Sequence, residues 1–303
     1  MPGAKIAGHL GAIFVVTAWG TSFIATKVLM EDAHLTPIEV FIYRFVLAYV
    51  LLLCITFKKI FSNCIKDEVQ FLMCGVCAGS MFYILENTAL QYTTTGNVSL
   101  LSCMSPMITA GLMALFYRLK LGAGLIIGSA IAFIGVFCII FSHGEGFNIN
   151  PMGDLLALST SVVWAIYAVG VKRLIPLYSS LFITRKLFFY GVVTALPLLW
   201  IGHAPTHLEA LFHNYNYLLS LLFLVVACSL LAYILFNYAM KTIGSVTANN
   251  YLYMQPLVTM VVGYFALGET ISLLGYLGCV LIIGGLIISD KLKVKRRLHQ
   301  VRK

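Results

Sequence analysis

The chain has 303 residues, of which 60% are hydrophobic and 10% are charged, and its formal net charge is +9. Because a soluble domain carries about 25% charged residues, this composition excludes a water-soluble globular protein and indicates that the lipid bilayer is the solvent. The basic charge is not accompanied by a recognisable nucleic-acid-binding module, so we expect no nucleic-acid partner and assign the charge to contact with anionic lipid.

Ten stretches of the chain are long and apolar enough to cross about 30 Å of hydrocarbon as helices, which takes about 20 residues each. In chain order they cover residues 6–29, 37–57, 69–90, 95–116, 121–141, 152–172, 179–200, 215–239, 244–266 and 271–289. Their apolar runs are continuous and lack the alternation of a transmembrane strand. The sequence therefore predicts an all-α integral membrane protein with ten transmembrane helices, here called spans 1 to 10.

Lysine and arginine lie almost entirely on one side of these spans. Cytoplasmic loops carry the excess of these residues, and an even number of spans puts both termini on the same side. We therefore expect a multi-pass protein of the cell membrane, the inner membrane of a bacterium, with both termini in the cytoplasm. The basic residues on that side are Lys5, Lys58, Lys59, Lys66, Arg118, Lys120, Lys172, Arg173, Lys241 and seven more within the tail 291–303.

The two halves of the sequence are related. A shift of 150 residues aligns residues 83–135 with the second half without a gap, and "YILENTAL" at residue 83 then matches "YILFNYAM" at residue 233. A shift of 145 pairs Trp19 with Trp164. Since each half contains five spans, the second half enters the membrane from the opposite side, as in the inverted repeats of many secondary transporters. We expect repeats at 1–145 and 150–290, followed by a basic tail at 291–303.

The second half contains a proline, an apolar run, Gly268-Glu269 and then spaced glycines, in "MQPLVTMVVGYFALGETIS" followed by "GYLGCVLIIGGLII". With the five-plus-five layout, this phrase resembles the EamA type of the drug/metabolite transporter superfamily. The first half departs from the pattern, because Arg118-Leu119-Lys120 stands where the family often has Gly-Glu. The resemblance implies a permease for small metabolites, such as amino acids, nucleobases or sugars, and leaves the substrate open.

Ionisable residues inside a membrane helix are costly and usually face protein or water. Lys27, Arg44 and Glu86 lie at similar predicted depths, and Arg185 lies on span 7. We hypothesise that Glu86 neutralises Arg44 or Lys27 when the substrate is absent, or that it takes a proton. A static ion pair is the alternative. Lys27, Glu86 and Arg185 are therefore the candidates for ion pairing and coupling, and Arg44 is a candidate for binding a substrate carboxylate.

Polar and aromatic residues recur at helical spacing along several spans. They suit a ligand in a central cavity, and they suit hydrogen bonding and packing between helices equally well. The substrate-binding candidates, besides Arg44, are Trp19, Tyr83, Asn87, Trp164, Tyr167, Tyr233, Asn237, Tyr253 and Gln255. Pro106 and Pro256 can kink their helices and are the hinge candidates.

Glycines recur at helix spacing in spans 5 and 10, which predicts close helix contact within the protomer or in a homodimer. The sequence predicts no cofactor and no metal site. Cys74 and Cys77 form a lone CxxC that is typical of packing, and no Walker motif is present.

The leading hypothesis is a secondary active exporter of a small metabolite such as an amino acid, working by alternating access, with proton coupling left open. An intramembrane enzyme and a non-transporting receptor or assembly subunit are the alternatives.

Overall fold

The computed structural model describes residues 2–57, 59–93, 95–141, 150–201, 208–267 and 272–301. Throughout these ranges the regular structure is helical, with no strand. Gly268 and Glu269 lie outside the described residues. The predicted all-α membrane architecture is confirmed.

The first half begins with α1, which ends in a π-helical turn, and closes with α7 after two interrupted spans. Span 3 consists of α3, a π-helical segment and α4, and span 4 consists of α5 and α6. The bounds are α1 Pro2–Lys27 with π-helical Val28–Asp32, α2 Pro37–Thr56, α3 Ile65–Gly75, π-helical Val76–Ser80, α4 Met81–Tyr92, α5 Thr95–Ser102, α6 Ser105–Tyr117 and α7 Ala123–Phe141.

The second half repeats this plan. Span 8 is again interrupted by a π-helical segment, and span 9 is interrupted by a 3-10 turn. The bounds are α8 Pro151–Leu174, α9 Ser180–Ile201, a 3-10 turn Leu208–Phe212, α10 Tyr215–Phe223, π-helical Leu224–Leu231, α11 Ala232–Thr242, α12 Ser245–Asn250, a 3-10 turn Tyr251–Met254, α13 Gln255–Leu267 and α14 Leu273–Val301.

Eight helical segments of the described chain are long and apolar enough to cross a membrane, and they correspond to spans 1 to 8. Span 10 contributes the shorter apolar helix Leu273–Ser289. The 3-10 turn at Tyr251–Met254 divides span 9, which is why neither part reaches that length. Large apolar side chains of α7 face outward, for example Ile126, Ile127 and Ile134, as expected for a surface solvated by lipid.

Local sequence explains where several helices begin. Thr36 caps α2, because its side chain accepts a hydrogen bond from the amide of Glu39 while the Glu39 carboxylate accepts from the amide of Thr36. Glu39, which is 1% exposed, is thus a capping residue. Pro106 lies in the first turn of α6, and Pro256 lies in the first turn of α13 after the 3-10 turn. Both hinge candidates therefore stand at breaks between helices rather than inside continuous ones, where a proline costs no backbone hydrogen bond.

Glycine contacts between α7 and α14 demonstrate the inverted relationship. A Cβ added to Gly128 would lie 2.4 Å from the carbonyl oxygen of Gly285, and one added to Gly135 would lie 2.7 Å from that of Gly278. The contacts run in opposite directions along the two helices, so α7 and α14 are antiparallel. Gly128 corresponds to Gly278 and Gly135 to Gly285, so each glycine contacts the counterpart of the other. That exchange is the signature of a two-fold axis perpendicular to the helices.

The same exchange occurs at the other ends of the halves. Gly8 of α1 packs against Thr242 and Ile243 at the end of α11, and its counterpart Gly153 of α8 packs against Thr93 at the end of α4. The contact between spans 1 and 8 is therefore repeated, in the related position, by the contact between spans 6 and 3. The predicted glycine contacts lie within the protomer, and the homodimer stays a prediction.

Candidate functional site

Aromatic residues from both halves meet in the middle of the molecule. The indole rings of Trp19 on α1 and Trp164 on α8 meet edge to face, with centroids 5.5 Å apart. Tyr233 and Phe236 of α11 pack against both indoles at 5.4 to 6.4 Å. All four side chains are buried. These contacts place the predicted aromatic residues of spans 1, 6 and 8 in one cluster.

The two π-helical segments lie at equivalent positions of the halves and each provides a carbonyl to this cluster. The hydroxyl of Tyr233 donates to the carbonyl oxygen of Ala78 at 2.9 Å, and the indole Nε1 of Trp19 donates to that of Cys228 at 2.9 Å. Ala78 and Cys228 correspond under the shift of 150. A π-helical turn departs from the regular hydrogen-bond ladder and is frequent at functional sites.

Tyr167 and Asn237 belong to a saturated polar network. The Tyr167 hydroxyl donates to Asn237 Oδ1 at 3.0 Å, and Asn237 Nδ2 donates to the Tyr233 carbonyl and to Thr184 Oγ1. Trp164 Nε1 likewise donates to Asn249 Oδ1 at 2.9 Å. The hydrogen-bonding groups of these residues are used within the protein, which is the packing alternative that the sequence left open.

Arg44 lies on α2 with only 5% of its surface exposed. Its Nε donates to the hydroxyl of Ser229, in the π-helical segment of span 8. The guanidinium carbon lies 5.4 Å from the ring centroid of Phe45 and 5.7 Å from that of Tyr83. Within the described part of the chain, its two terminal nitrogens have no hydrogen-bond partner. Up to four N–H donors of a buried cation are thus left for a ligand.

Glu86 lies on α4 and is partly buried. It forms neither a hydrogen bond nor an ion pair with any described residue, although it is within electrostatic range of Arg44 and of the Tyr83 hydroxyl. Among the described residues the structure shows no ion pair between Glu86 and Arg44, whose Nε binds Ser229. The role of Glu86 in neutralising Arg44 or Lys27, or in proton coupling, stays a prediction. The side chains of Lys27 and Asn87 lie outside the described residues.

Tyr83 lies close to both of these charges. Its ring packs on Phe41 and Phe45 with centroids 5.0 and 5.6 Å away, and it is partly buried. Under the shift of 150, Glu86 corresponds to Phe236, which is buried among the indoles. One half thus contributes an acid where the other contributes a ring, so the site is asymmetric despite the related folds.

Two candidates on span 9 differ in their surroundings. Tyr253 is fully buried, and its hydroxyl, next to Ser129, has no hydrogen-bond partner among the described residues. Gln255 is partly buried at the start of α13, and its side chain also forms no hydrogen bond there. Neither residue contacts Arg44 or Glu86 through a hydrogen bond, so the structure does not join them to that pair.

Arg185 has a structural role that the sequence did not indicate. It is 2% exposed and donates hydrogen bonds to the carbonyl oxygens of Thr56, Lys59 and Ile60 and to the Thr56 hydroxyl. The last carbonyls of a helix lack intrahelical partners, and a buried guanidinium satisfies several of them together. Arg185 therefore caps α2, and its role in ion pairing or coupling stays a prediction.

A model of the EamA-like transporter family matches residues 6–141 and 151–289, nearly the whole chain. The chain belongs to the EamA-like transporter family. It is thus a membrane transporter, and the family resemblance read from the sequence is confirmed. A solved crystal structure shares the fold, with a TM-score of 0.77 at 18% identity over 98% of this chain and 99% of the other.

Curated relatives of this EamA-like protein span the same length. An "Uncharacterized transporter" of Clostridium kluyveri is 26% identical over 93% of this chain and 92% of its own, and one of Archaeoglobus fulgidus is 27% identical over 93% and 96%. A protein of Streptantibioticus cattleyicolor named "Probable terminal-alkyne amino-acid exporter" is 26% identical over 77% of this chain and 76% of its own. These names favour a transporter over an enzyme.

Sequence reasoning missed Ser229 and the two π-helical segments of this EamA-like transporter. Ser229 is a lone hydroxyl in an apolar run, and it corresponds to Gly79 in the first half. Two small residues at matching positions inside apolar spans were the available signal. They do not reveal by themselves that the helix widens there.

Proposed function

We propose that this protein is a secondary active exporter of α-amino acids with apolar or aromatic side chains, and that it works by alternating access between its two halves. The observation that carries the proposal is a pair of opposite charges on neighbouring spans, Arg44 and Glu86, which form no ion pair with any described residue and lie close to the ring of Tyr83. A zwitterionic amino acid can satisfy both charges at once, with its carboxylate on the Arg44 guanidinium and its ammonium on Glu86.

Energetics support this assignment. A buried charge without a partner is costly, so both groups gain from a ligand of complementary charge. Arginine binds a carboxylate with two parallel hydrogen bonds when both terminal nitrogens are available, as they are here. Ser229 holds Nε and so fixes the plane of the guanidinium. The rings of Phe45 and Tyr83, 5.4 and 5.7 Å from the guanidinium carbon, give this position an aromatic environment that suits an apolar side chain.

Glu86 also supplies a route to energy coupling. One carboxylate cannot hold an ammonium group and a proton together, so binding of the amino acid and binding of the proton exclude each other. That exclusion is the requirement of an antiporter, in which a proton enters as an amino acid leaves. Intramembrane acids commonly serve as proton relays in transporters. The basic end of the molecule, where α2 and α8 end and α3 and α9 begin, faces the cytoplasm by the positive-inside rule.

The relative that is named an amino-acid exporter supports the same substrate class. An intramembrane enzyme would need paired catalytic groups, and the described part of the site has one acid and one arginine without a nucleophile and base in contact. The proposal therefore favours transport without chemistry on the substrate.

The test is counterflow and gradient-driven efflux of labelled L-phenylalanine from proteoliposomes. Arg44→Gln and Glu86→Gln are each expected to lower flux by roughly tenfold or more, which corresponds to the free energy of one charge-assisted hydrogen bond. Glu86→Gln also abolishes the response to a proton gradient. Matched controls are Arg118→Gln and Glu209→Gln, which change exposed charges elsewhere. Wild-type vesicles that move no member of an amino-acid panel would contradict the proposal.

A further inference from the structure

A second cluster of charged side chains lies at the basic end, away from Arg44. The first turn of α3 carries Asp67, which is 3% exposed. Arg173 of α8 binds Asp67 Oδ1 at 2.9 Å, and the hydroxyl of Tyr178, between α8 and α9, donates to Oδ2 at 2.8 Å. Burial raises the pKa of the Tyr178 hydroxyl, and the Asp67 carboxylate raises it further, so the hydroxyl stays a donor.

Glu68, the next residue of α3, also binds side chains of the second half. Its Oε1 accepts from Lys186 Nζ and from the Tyr190 hydroxyl, both on α9, and its Oε2 accepts from the amide of Ser62. Lys186 is only 5% exposed. The two acids of span 3 are thus bound by four side chains of spans 6 and 7 and their connection. We call these six residues the basic-end network: Asp67, Glu68, Arg173, Tyr178, Lys186 and Tyr190.

The related position at the opposite end has different chemistry. Under the shift of 150, Asp67 and Glu68 correspond to Tyr217 and Leu218 in the first turn of α10. Tyr217 donates to the carbonyl oxygen of Asp32 at 3.3 Å, and Leu218 has no polar group. Neither side chain can form an ion pair at neutral pH. The two related positions therefore differ, and span 3 alone carries an acidic pair at this point.

Span 3 also contains a break between this network and the proposed binding site. Gly79, inside the π-helical segment, has φ −117° and ψ −107°, which is not helical. A Cβ added to Gly79 would lie 2.9 Å from the Cα of Gly191 on α9. The network therefore holds α3 on one side of the break, whereas Tyr83 and Glu86 lie on α4, on the other side. A movement of α3 about this point need not disturb α4.

We infer that the basic-end network is a latch between the two halves, and that its opening is an obligatory step of the transport cycle. The inference rests on the protein being a transporter and does not depend on the substrate class. With the latch closed, α3 is fixed to α8 and α9. Because ion pairs occupy this end and neutral residues occupy the related position, the latch biases the conformational equilibrium toward the state closed at the basic end.

The decisive experiment distinguishes a latch from a static brace. Cysteines replace Glu68 and Lys186 in a chain whose exposed Cys54 and Cys64 are changed to serine, and a bifunctional methanethiosulfonate joins them across the halves. Counterflow of L-phenylalanine, or of another amino acid that the wild type moves, is measured before joining, after joining and after reduction. A latch predicts that joining lowers flux about tenfold or more and that reduction restores it. Unchanged flux in the joined protein would overturn the inference.

A second measurement needs no introduced cysteines and includes the wild type, because the double cysteine variant is open to misfolding. Hydrogen–deuterium exchange of residues 59–70 is compared in wild type, Glu68→Gln and Lys66→Gln. Lys66 is an exposed neighbour without a partner in the described structure, so its variant is the matched control. The latch predicts faster exchange in Glu68→Gln and in wild type under substrate turnover, with Lys66→Gln unchanged. Exchange that does not respond to turnover would refute the latch, whereas wild-type vesicles without any flux would count against the proposed function instead.

Discussion

The indole rings of Trp19 and Trp164 meet edge to face with centroids 5.5 Å apart, although the residues belong to different halves of the chain. They occupy corresponding positions, so the contact crosses the boundary between the inverted repeats. Each indole nitrogen has its own partner: Trp19 binds the carbonyl oxygen of Cys228, and Trp164 binds Asn249. The centre of the molecule is therefore held by polar bonds as well as by ring packing.

Trp19→Phe is expected to remove the bond to Cys228 while keeping an aromatic ring. The carbonyl is buried, so the loss should lower the free energy of unfolding by about 1 kcal/mol. Thermal unfolding in detergent measures the change. Tyr276→Phe alters an exposed aromatic residue and should leave the midpoint where it is. Equal effects of the two variants would remove the central role of this hydrogen bond.

The antiparallel contact of α7 and α14 predicts different tolerance at two adjacent glycines. A Cβ at Gly285 would lie 2.5 Å from the carbonyl oxygen of Gly128, whereas Gly284 has open space. Gly285→Ala should destabilise the protein by about 1–3 kcal/mol through overpacking. Gly284→Ala should be neutral or slightly stabilising, because alanine favours a helix by up to about 1 kcal/mol. Matching melting temperatures for the two variants would contradict the packing described here.

Arg185→Lys should lower stability without changing recognition of the substrate. Lysine keeps the positive charge but cannot bind the carbonyls at the end of α2 with a planar fork of donors. We expect a loss of about 1–3 kcal/mol, the usual cost of leaving buried polar groups unsatisfied. The check combines thermal unfolding with the KM for L-phenylalanine counterflow. A raised KM with normal stability would instead show that Arg185 acts on the substrate and would contradict its role as a cap.

Orientation is tested by fusions at the C-terminus. Because the basic loops and the tail lie at one end, a green fluorescent protein fused after Lys303 should fluoresce, and an alkaline phosphatase fused there should be inactive. Fusions truncated after residue 206, in the predicted loop between spans 7 and 8, should behave in the opposite way. Active phosphatase at the C-terminus would reverse the assignment of the cytoplasmic side.

Much of the fold could be predicted from the sequence, because lipid requires long apolar helices and because the halves retain matching residues. Hydropathy predicts a span over residues 244–266 but not the 3-10 turn at Tyr251–Met254, since hydropathy reports apolar character and not the hydrogen-bond pattern of the backbone. The repeat paired Trp19 with Trp164, but it did not predict that their rings are in contact or that Phe236 packs against both.

The details of the site were harder to predict. The pairing of Arg44 with Glu86 was inferred from similar depth, and depth does not fix the direction of a side chain around a helix. The widened helix at Leu224–Leu231 brings Ser229 to the arginine instead. The role of Arg185 is equally hard to predict, because the sequence around an arginine in an apolar span is the same whether the side chain binds an acid or caps another helix.

The most direct test of the zwitterion site is a cycle that removes the carboxylate from the ligand and the guanidinium from the protein. Binding of L-phenylalanine and of phenethylamine is measured calorimetrically for wild type and Arg44→Gln. The account predicts that losing the carboxylate weakens binding roughly tenfold or more in wild type and by less than about threefold in Arg44→Gln, since interacting groups are not additive. Equal losses in both proteins would show that Arg44 does not hold the carboxylate and would contradict the account.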